Sequence, residues 1–113
     1  MLSEKNRLQK KKDIERVFKK GKSFKEDFLI LKKTNNDLDK SRFGFIVSLK
    51  VSKKASLRNK VRRRLAELVR SRIGLIKPGL DVLFIAVPGI EKEDFWEIEE
   101  GLAKLFKKTG IIE

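Results

Sequence analysis

The fold turns on Val51-Ser52-Lys53-Lys54-Ala55-Ser56-Leu57-Arg58-Asn59-Lys60-Val61-Arg62-Arg63-Arg64-Leu65-Ala66-Glu67-Leu68-Val69-Arg70. Leu57, Val61, Leu65, Leu68 and Val69 recur at helical spacing, which predicts an amphipathic helix with one buried stripe. At about 100° per residue the stripe covers roughly a third of the circumference. Asn59, Arg63 and Arg70 fall nearly opposite it, Lys60 stands beside them, and Arg58 and Arg62 lie along one border. Between Lys53 and Arg72 there are nine basic residues and one acid, Glu67. One side of such a helix suits a protein core; the other suits the phosphates of a polyanion.

Upstream, Ser56 or Ser52 is the candidate N-cap. Arg42-Phe43-Gly44-Phe45-Ile46-Val47-Ser48 reads as a strand, and Gly44 within it signals a bulge or a close backbone approach. Phe28-Leu29-Ile30-Leu31 is a short apolar run, and Asn35-Asn36-Asp37 with Asp39 supplies turn chemistry, so the two strands are expected to form a hairpin. Phe24 opens a further short strand. Ile14, Val17 and Phe18 predict a helix over Asp13–Lys20, stopped by Gly21 and too short to stand without packing. Residues 1–11 are polar and basic and read as a flexible N-terminus, extended or disordered until something binds.

Downstream, Gly74 marks the helix end and Pro78-Gly79 turns the chain into Val82-Leu83-Phe84-Ile85-Ala86-Val87. This strand lacks alternation, which predicts burial on both faces and a central position. A last helix over Lys92–Lys108 places Phe95, Ile98, Leu102, Leu105 and Phe106 on one face, with Phe95 in the core and Trp96 off the stripe. Its acidic first turns and Lys107-Lys108 match the helix dipole, and Gly110 closes it. The order helix, strands, helix, strand, helix predicts an α+β sandwich, one domain over residues 1–113, with a mostly antiparallel sheet and about three helices.

The 113 residues carry a net charge of +13, distributed as +7 over residues 1–25, +1 over 26–52, +8 over 53–72 and −3 over 73–113. Solubility alone asks for a net charge of about 2–8. Two basic blocks therefore point to a polyanionic partner, the plainer alternative being a solvated lysine-rich surface. With neither cysteine nor histidine, disulfides, thiolate metal sites and imidazole catalysis are excluded. No apolar run approaches the roughly 18–20 residues of a membrane span, and the N-terminus lacks a signal-peptide core. A soluble, cytoplasmic protein with no membrane partner is expected.

Catalytic machinery is hard to assemble. Nucleophile-plus-base arrangements usually need histidine. Asp81, Asp94 and the Glu91–Glu100 cluster could bind Mg²⁺ for nuclease chemistry, but turn and dipole chemistry explain their positions better. No glycine-rich phosphate loop occurs. Nucleic-acid binding is the stronger reading, since the helical cluster can neutralise several phosphates. Nothing suggests a helix-turn-helix partner, so a DNA target is not expected. Phe18, beside a basic helix face, either contacts unstacked bases or packs in the core.

Arg58-Asn59-Lys60-Val61-Arg62-Arg63-Arg64-Leu65-Ala66-Glu67 resembles the signature of the bacterial ribonuclease P protein family: R-N-R, an apolar residue, K-R, two variable residues, then R-E. Arg58, Asn59, Val61, Arg63 and Glu67 match, Lys60 and Arg62 preserve charge, and Ala66 stands where the signature has arginine. The resemblance extends to the Leu8…Asp13-Ile14…Val17-Phe18-Lys19…Gly21 segment, Arg42-Phe43-Gly44, Ala55, the apolar strand and the last helix. It implies a left-handed crossover between the strands flanking the signature helix, in a fold shared with the second domain of a small-subunit ribosomal protein. It implies that a catalytic RNA, with Mg²⁺ bound mainly through that RNA and the substrate, removes the 5′ leader of precursor tRNA. The protein would then supply no catalytic residue. Lys53, Lys54, Arg58, Asn59, Lys60, Arg62 and Arg63 would contact the catalytic RNA. Ile14, Phe18, Leu31 and Lys50 would line the leader cleft; the family more often has an aromatic at the place of Ile14 and, in some members, tyrosine at that of Leu31. Ser48-Leu49-Lys50-Val51-Ser52 takes the place of a serine-lysine-lysine-apolar-glycine turn. Two rivals stand beside this reading: a ribosomal or chaperone-type RNA-binding protein, and a nuclease using its own carboxylates.

Overall fold

The computed structural model describes residues 2–112. Four strands form one mixed sheet in the order β1 (Lys22–Glu26), β2 (Leu29–Asn35), β4 (Leu80–Ala86), β3 (Arg42–Ile46). β2 pairs antiparallel with β1 and with β4, while β3 runs parallel to β4. Three helices accompany the sheet: α1 (Lys11–Lys20), α2 (Ala55–Arg70) and α3 (Phe95–Thr109). The α+β architecture is the one the residue patterns predict, and β4 is central.

The expected hairpin does not form. β4 lies between β2 and β3, and β1 with β2 makes the tight antiparallel pair instead. The reason is burial: Val82, Leu83 and Phe84 are fully buried, and an apolar strand of this kind needs a neighbour on both edges. β2 is also longer than its apolar run suggests, because Lys32 and Lys33 remain in the strand. Lys33 Nζ donates to the Thr109 carbonyl at 3.0 Å, which ties the strand to the end of α3.

Side chains alternate across the sheet. Leu29, Leu31, Phe43, Val82, Phe84 and Ala86 join Val61 and Leu65 of α2 and Leu102, Leu105 and Phe106 of α3 in the main core. On the other face Leu83 packs with Val17 of α1 and with Leu8, flanked by Ile14, Ile46 and Ile85. α1 and α2 thus occupy opposite faces.

Two further expectations are corrected. Residues 2–10 are not a free arm: Leu2 and Leu8 are buried, Arg7 bridges Phe43 in parallel, and Leu8 N–H donates to the Phe43 carbonyl at 2.8 Å. Two leucines in a polar segment were enough to dock it. This approach explains Gly44, where a Cβ would lie 3.1 Å from the Leu8 carbonyl oxygen. Phe95 is 46% exposed rather than buried, and Trp96 is 61% exposed. α3 begins at Phe95, and side chains lean toward a helix N-terminus, so a first-turn ring projects past the helix end into solvent.

Candidate nucleic-acid interface

α2 carries its basic residues where a helix disfavours them. A helix N-terminus has unsatisfied N–H groups and partial positive charge, yet Lys53, Lys54, Arg58 and Lys60 crowd this one and its first turn holds no acid. Neither Ser52 nor Ser56 caps it. Lys54 occupies the N-cap position without a side-chain bond to the helix, and Ser52 Oγ accepts from the Lys54 N–H at 3.1 Å instead. Backbone and side-chain fields therefore add, and an anionic phosphate is their complement.

The seven residues assigned to this surface lie on α2 and the loop that leads into it. Arg58 Nη1 donates to the Ser52 carbonyl at 2.9 Å, holding the loop that leads into the helix. Arg62 donates to Asn59 Oδ1 and reaches the Val47 carbonyl at 3.5 Å. Lys53, Lys54, Lys60 and Arg63 are exposed. Glu67, the one acid of α2, is engaged by Arg70 at 2.9 Å, whose hydrogen bond lowers its carboxyl to about 2.

α1 crosses the other face with two unlike flanks. One is pinned to a buried carboxylate. Asp81 accepts from Arg42 Nε at 2.8 Å and Nη2 at 2.7 Å, from Arg16 Nη2 at 2.6 Å and from Asn36 Nδ2 at 2.9 Å; Asp13 meets Arg42 at 3.3 Å. Burial pushes the Asp81 pKa up, but the hydrogen bonds of Arg42 and Asn36 and the charges of Arg42 and Arg16 together outweigh it and hold the carboxyl below its usual range. Asp81 stays ionised.

The second flank is open. Ile14 borders a half-buried apolar strip of Ile46, Ile85 and Ile30, the last two paired across the sheet. Phe18 is 50% exposed. Its ring lies 4.2 Å from Lys32 Nζ, which also donates to the Phe18 carbonyl at 2.9 Å. An exposed ring held beside an ammonium suits a stacked base with its phosphate nearby. Lys50 sits on the exposed turn that follows β3.

Leu31 does not belong to this cleft. It is fully buried in the main core, because a strand alternates its side chains and Ile30, one residue earlier, takes the α1-facing position. The Asp81 cluster was missed. β4 starts at Leu80, so Asp81 is inside an apolar strand rather than in a turn; a buried carboxylate there needs partners, and that was the available signal. Asp94 and Glu97 follow the dipole reading, whereas Glu99 pairs with Arg72 at 3.0 Å and Glu100 with Lys104 at 3.7 Å. Asp94 and Glu97 form a capping box at α3, with Asp94 N–H donating to Glu97 Oε1 at 3.1 Å. Glu97 also raises the Glu93 pKa, mainly through a hydrogen bond.

Among the described residues no group of three or more His, Cys, Asp or Glu could hold a metal ion, and no helix is long and apolar enough to cross a membrane.

Comparison with known proteins gives one family. The sequence model described as Ribonuclease P matches residues 2–110. The chain is 36% identical over 111 residues to the ribonuclease P protein component of Syntrophomonas wolfei, covering 98% of this chain and 92% of that one. It is 41% identical over 105 residues to that of Clostridioides difficile, covering 92% and 91%. The solved Staphylococcus aureus RNase P protein is similar with a TM-score of 0.88 at 28% identity, covering 96% of this chain and 98% of that one. The Thermotoga maritima protein gives 0.81 at 33%, covering 90% and 96%.

Proposed function

The chain belongs to the ribonuclease P protein family, and from that membership we propose that it grips two RNAs at once while the RNA subunit performs the cleavage. As a ribonuclease P protein component it has an RNA partner and a role in tRNA processing. The N-terminal half of α2, with Lys53 and Lys54, docks the RNA subunit through phosphate contacts. The flank of α1 at Ile14 and Phe18, with Lys50 nearby, receives the unpaired 5′ leader of precursor tRNA in the cytoplasm.

What supports this reading is that α1 and α2, which carry the two proposed surfaces, pack on opposite faces of one sheet. Hydrolysis is assigned to the RNA subunit, as the family resemblance implies. Mg²⁺ is assigned mainly to the RNA subunit and the substrate, as the family resemblance implies. What this chain's residues do is bind and orient: arginines fix phosphates, and Phe18 fixes a leader base.

Reconstitution tests the proposal. The protein, its cognate RNA subunit and precursor tRNA are combined at moderate Mg²⁺, and leader release is followed. Faster 5′ cleavage than by RNA alone, with none by protein alone, is the expected result. No stimulation would favour a ribosomal or chaperone-type role, and cleavage by the protein alone would favour a carboxylate nuclease.

A further inference from the structure

A pocket of about 220 Å³ lies beside the middle of α2, where Leu2 and Leu8, the edge strand β3 and Ala66 meet. Its walls are mostly apolar, yet Arg62 and Arg63 stand among them. The volume is below the roughly 300–1,000 Å³ of drug-sized ligand sites, and suits one planar ring system. Phe45 contributes an aromatic wall that is already rigid, stacked on Phe84 with centroids 5.5 Å apart and planes 10° apart.

β3 adds polar groups at the same place. The Phe43 carbonyl accepts from Leu8 on the edge of β3 that faces away from β4, where Arg7 also bridges Phe43. Backbone groups alternate between the two edges, so Phe45, two residues on, presents its N–H and C=O to that edge as well. An aromatic wall, a backbone donor and acceptor, and flanking guanidinium groups are what a base between two phosphates requires. Ala66 holds the space open at the position where the family signature has an arginine.

We propose that this pocket takes one unstacked nucleobase of the RNA docked along α2, with Arg62 and Arg63 on the phosphates either side of it. The inference rests on the reading of α2 as the RNA-docking surface and specifies how that surface selects a point on the RNA.

Ala66→Arg separates this from simple charge attraction, because the substitution adds a positive charge and fills the pocket together. Ala66→Met fills it without charge. Both are strong helix formers at a half-exposed site, and thermal unfolding checks that each folds. Binding to the cognate RNA subunit is measured at fixed salt, with dimethyl sulfate probing of the bound RNA. Both variants should bind about tenfold more weakly, the loss expected of one stacked base. A nucleobase protected by the wild-type protein should become reactive with either variant. Equal or tighter binding by Ala66→Arg, or an unchanged protection pattern, overturns the pocket while leaving the docking surface intact. Failure of the wild-type protein to bind the RNA overturns both.

Discussion

Arg16 and Arg42 carry the same charge as Arg58 and Arg63, but the fold uses them in opposite ways. The first pair is bound to buried Asp81 and holds α1 on the sheet. The second pair meets no carboxylate in the ion pairs of the described residues: Arg58 donates to a carbonyl and Arg63 is exposed. Charge count alone does not distinguish a structural arginine from an RNA-binding one. The position of the nearest carboxylate does. An arginine neutralised inside the protein has little field left for phosphate, whereas one without a carboxylate keeps its field, to which the uncapped helix N-terminus adds at Arg58 in the first turn.

The largest expected effect lies on the structural side of that contrast. Asp81→Ala leaves Arg16 without its carboxylate and Arg42 with only Asp13, and should cost about 3–5 kcal/mol of folding stability, measured by denaturant unfolding. Because the folded-state pKa of Asp81 is lowered, its contribution is fully present above the ordinary carboxylate range near about 4 and is lost as pH falls through the lowered value. The variant should lack that part of the acid destabilisation. An identical pH profile would remove Asp81 from the anchor.

Leu31→Ala comes next, at about 2–5 kcal/mol for a buried leucine. Once folded, the variant should discriminate precursor from mature tRNA as well as the wild type does; a selective loss of leader binding would return Leu31 to the cleft. Phe18→Ala should do the reverse, with little change in stability and a loss of roughly 1–3 kcal/mol in affinity for leader-bearing precursor. The smallest effect per residue is at α2. Arg63→Ala should lower the slope of log affinity against log salt for the RNA subunit by about one, and an unchanged slope would place Arg63 outside the interface.

The legible parts of this fold are those with a local period. The stripe of Leu57, Val61, Leu65, Leu68 and Val69 identifies α2, although Leu57, in its first turn, stays only partly buried, and the unbroken apolar run of β4 identifies the centre of the sheet. Gly44 announced a close approach without saying of what. What escaped depends on partners distant in the chain. Phe28–Leu31 and Arg42–Ser48 gave no sign that a later strand would separate them. Asp81 looked like turn chemistry until Arg16 and Arg42 were placed around it. Leu31 lay in the right strand but on the wrong face, an error that one residue of register decides. At the candidate interface, the basic cluster of α2 stands out in the sequence and the roles of Ile14 and Phe18 come from the family resemblance, whereas the uncapped helix end and the pocket at Ala66 have no local signal.

The division of labour between the two faces is tested most directly by the precursor-over-mature affinity ratio of reconstituted particles, read alongside RNA-subunit affinity. With Phe18→Ala, the ratio should collapse toward one while RNA-subunit binding holds. With Arg58→Ala and Arg63→Ala combined, RNA-subunit binding should fall while the ratio, measured at saturating protein, stays at its wild-type value. If both sets of substitutions lower the two quantities in parallel, the faces do not act separately and the account is contradicted.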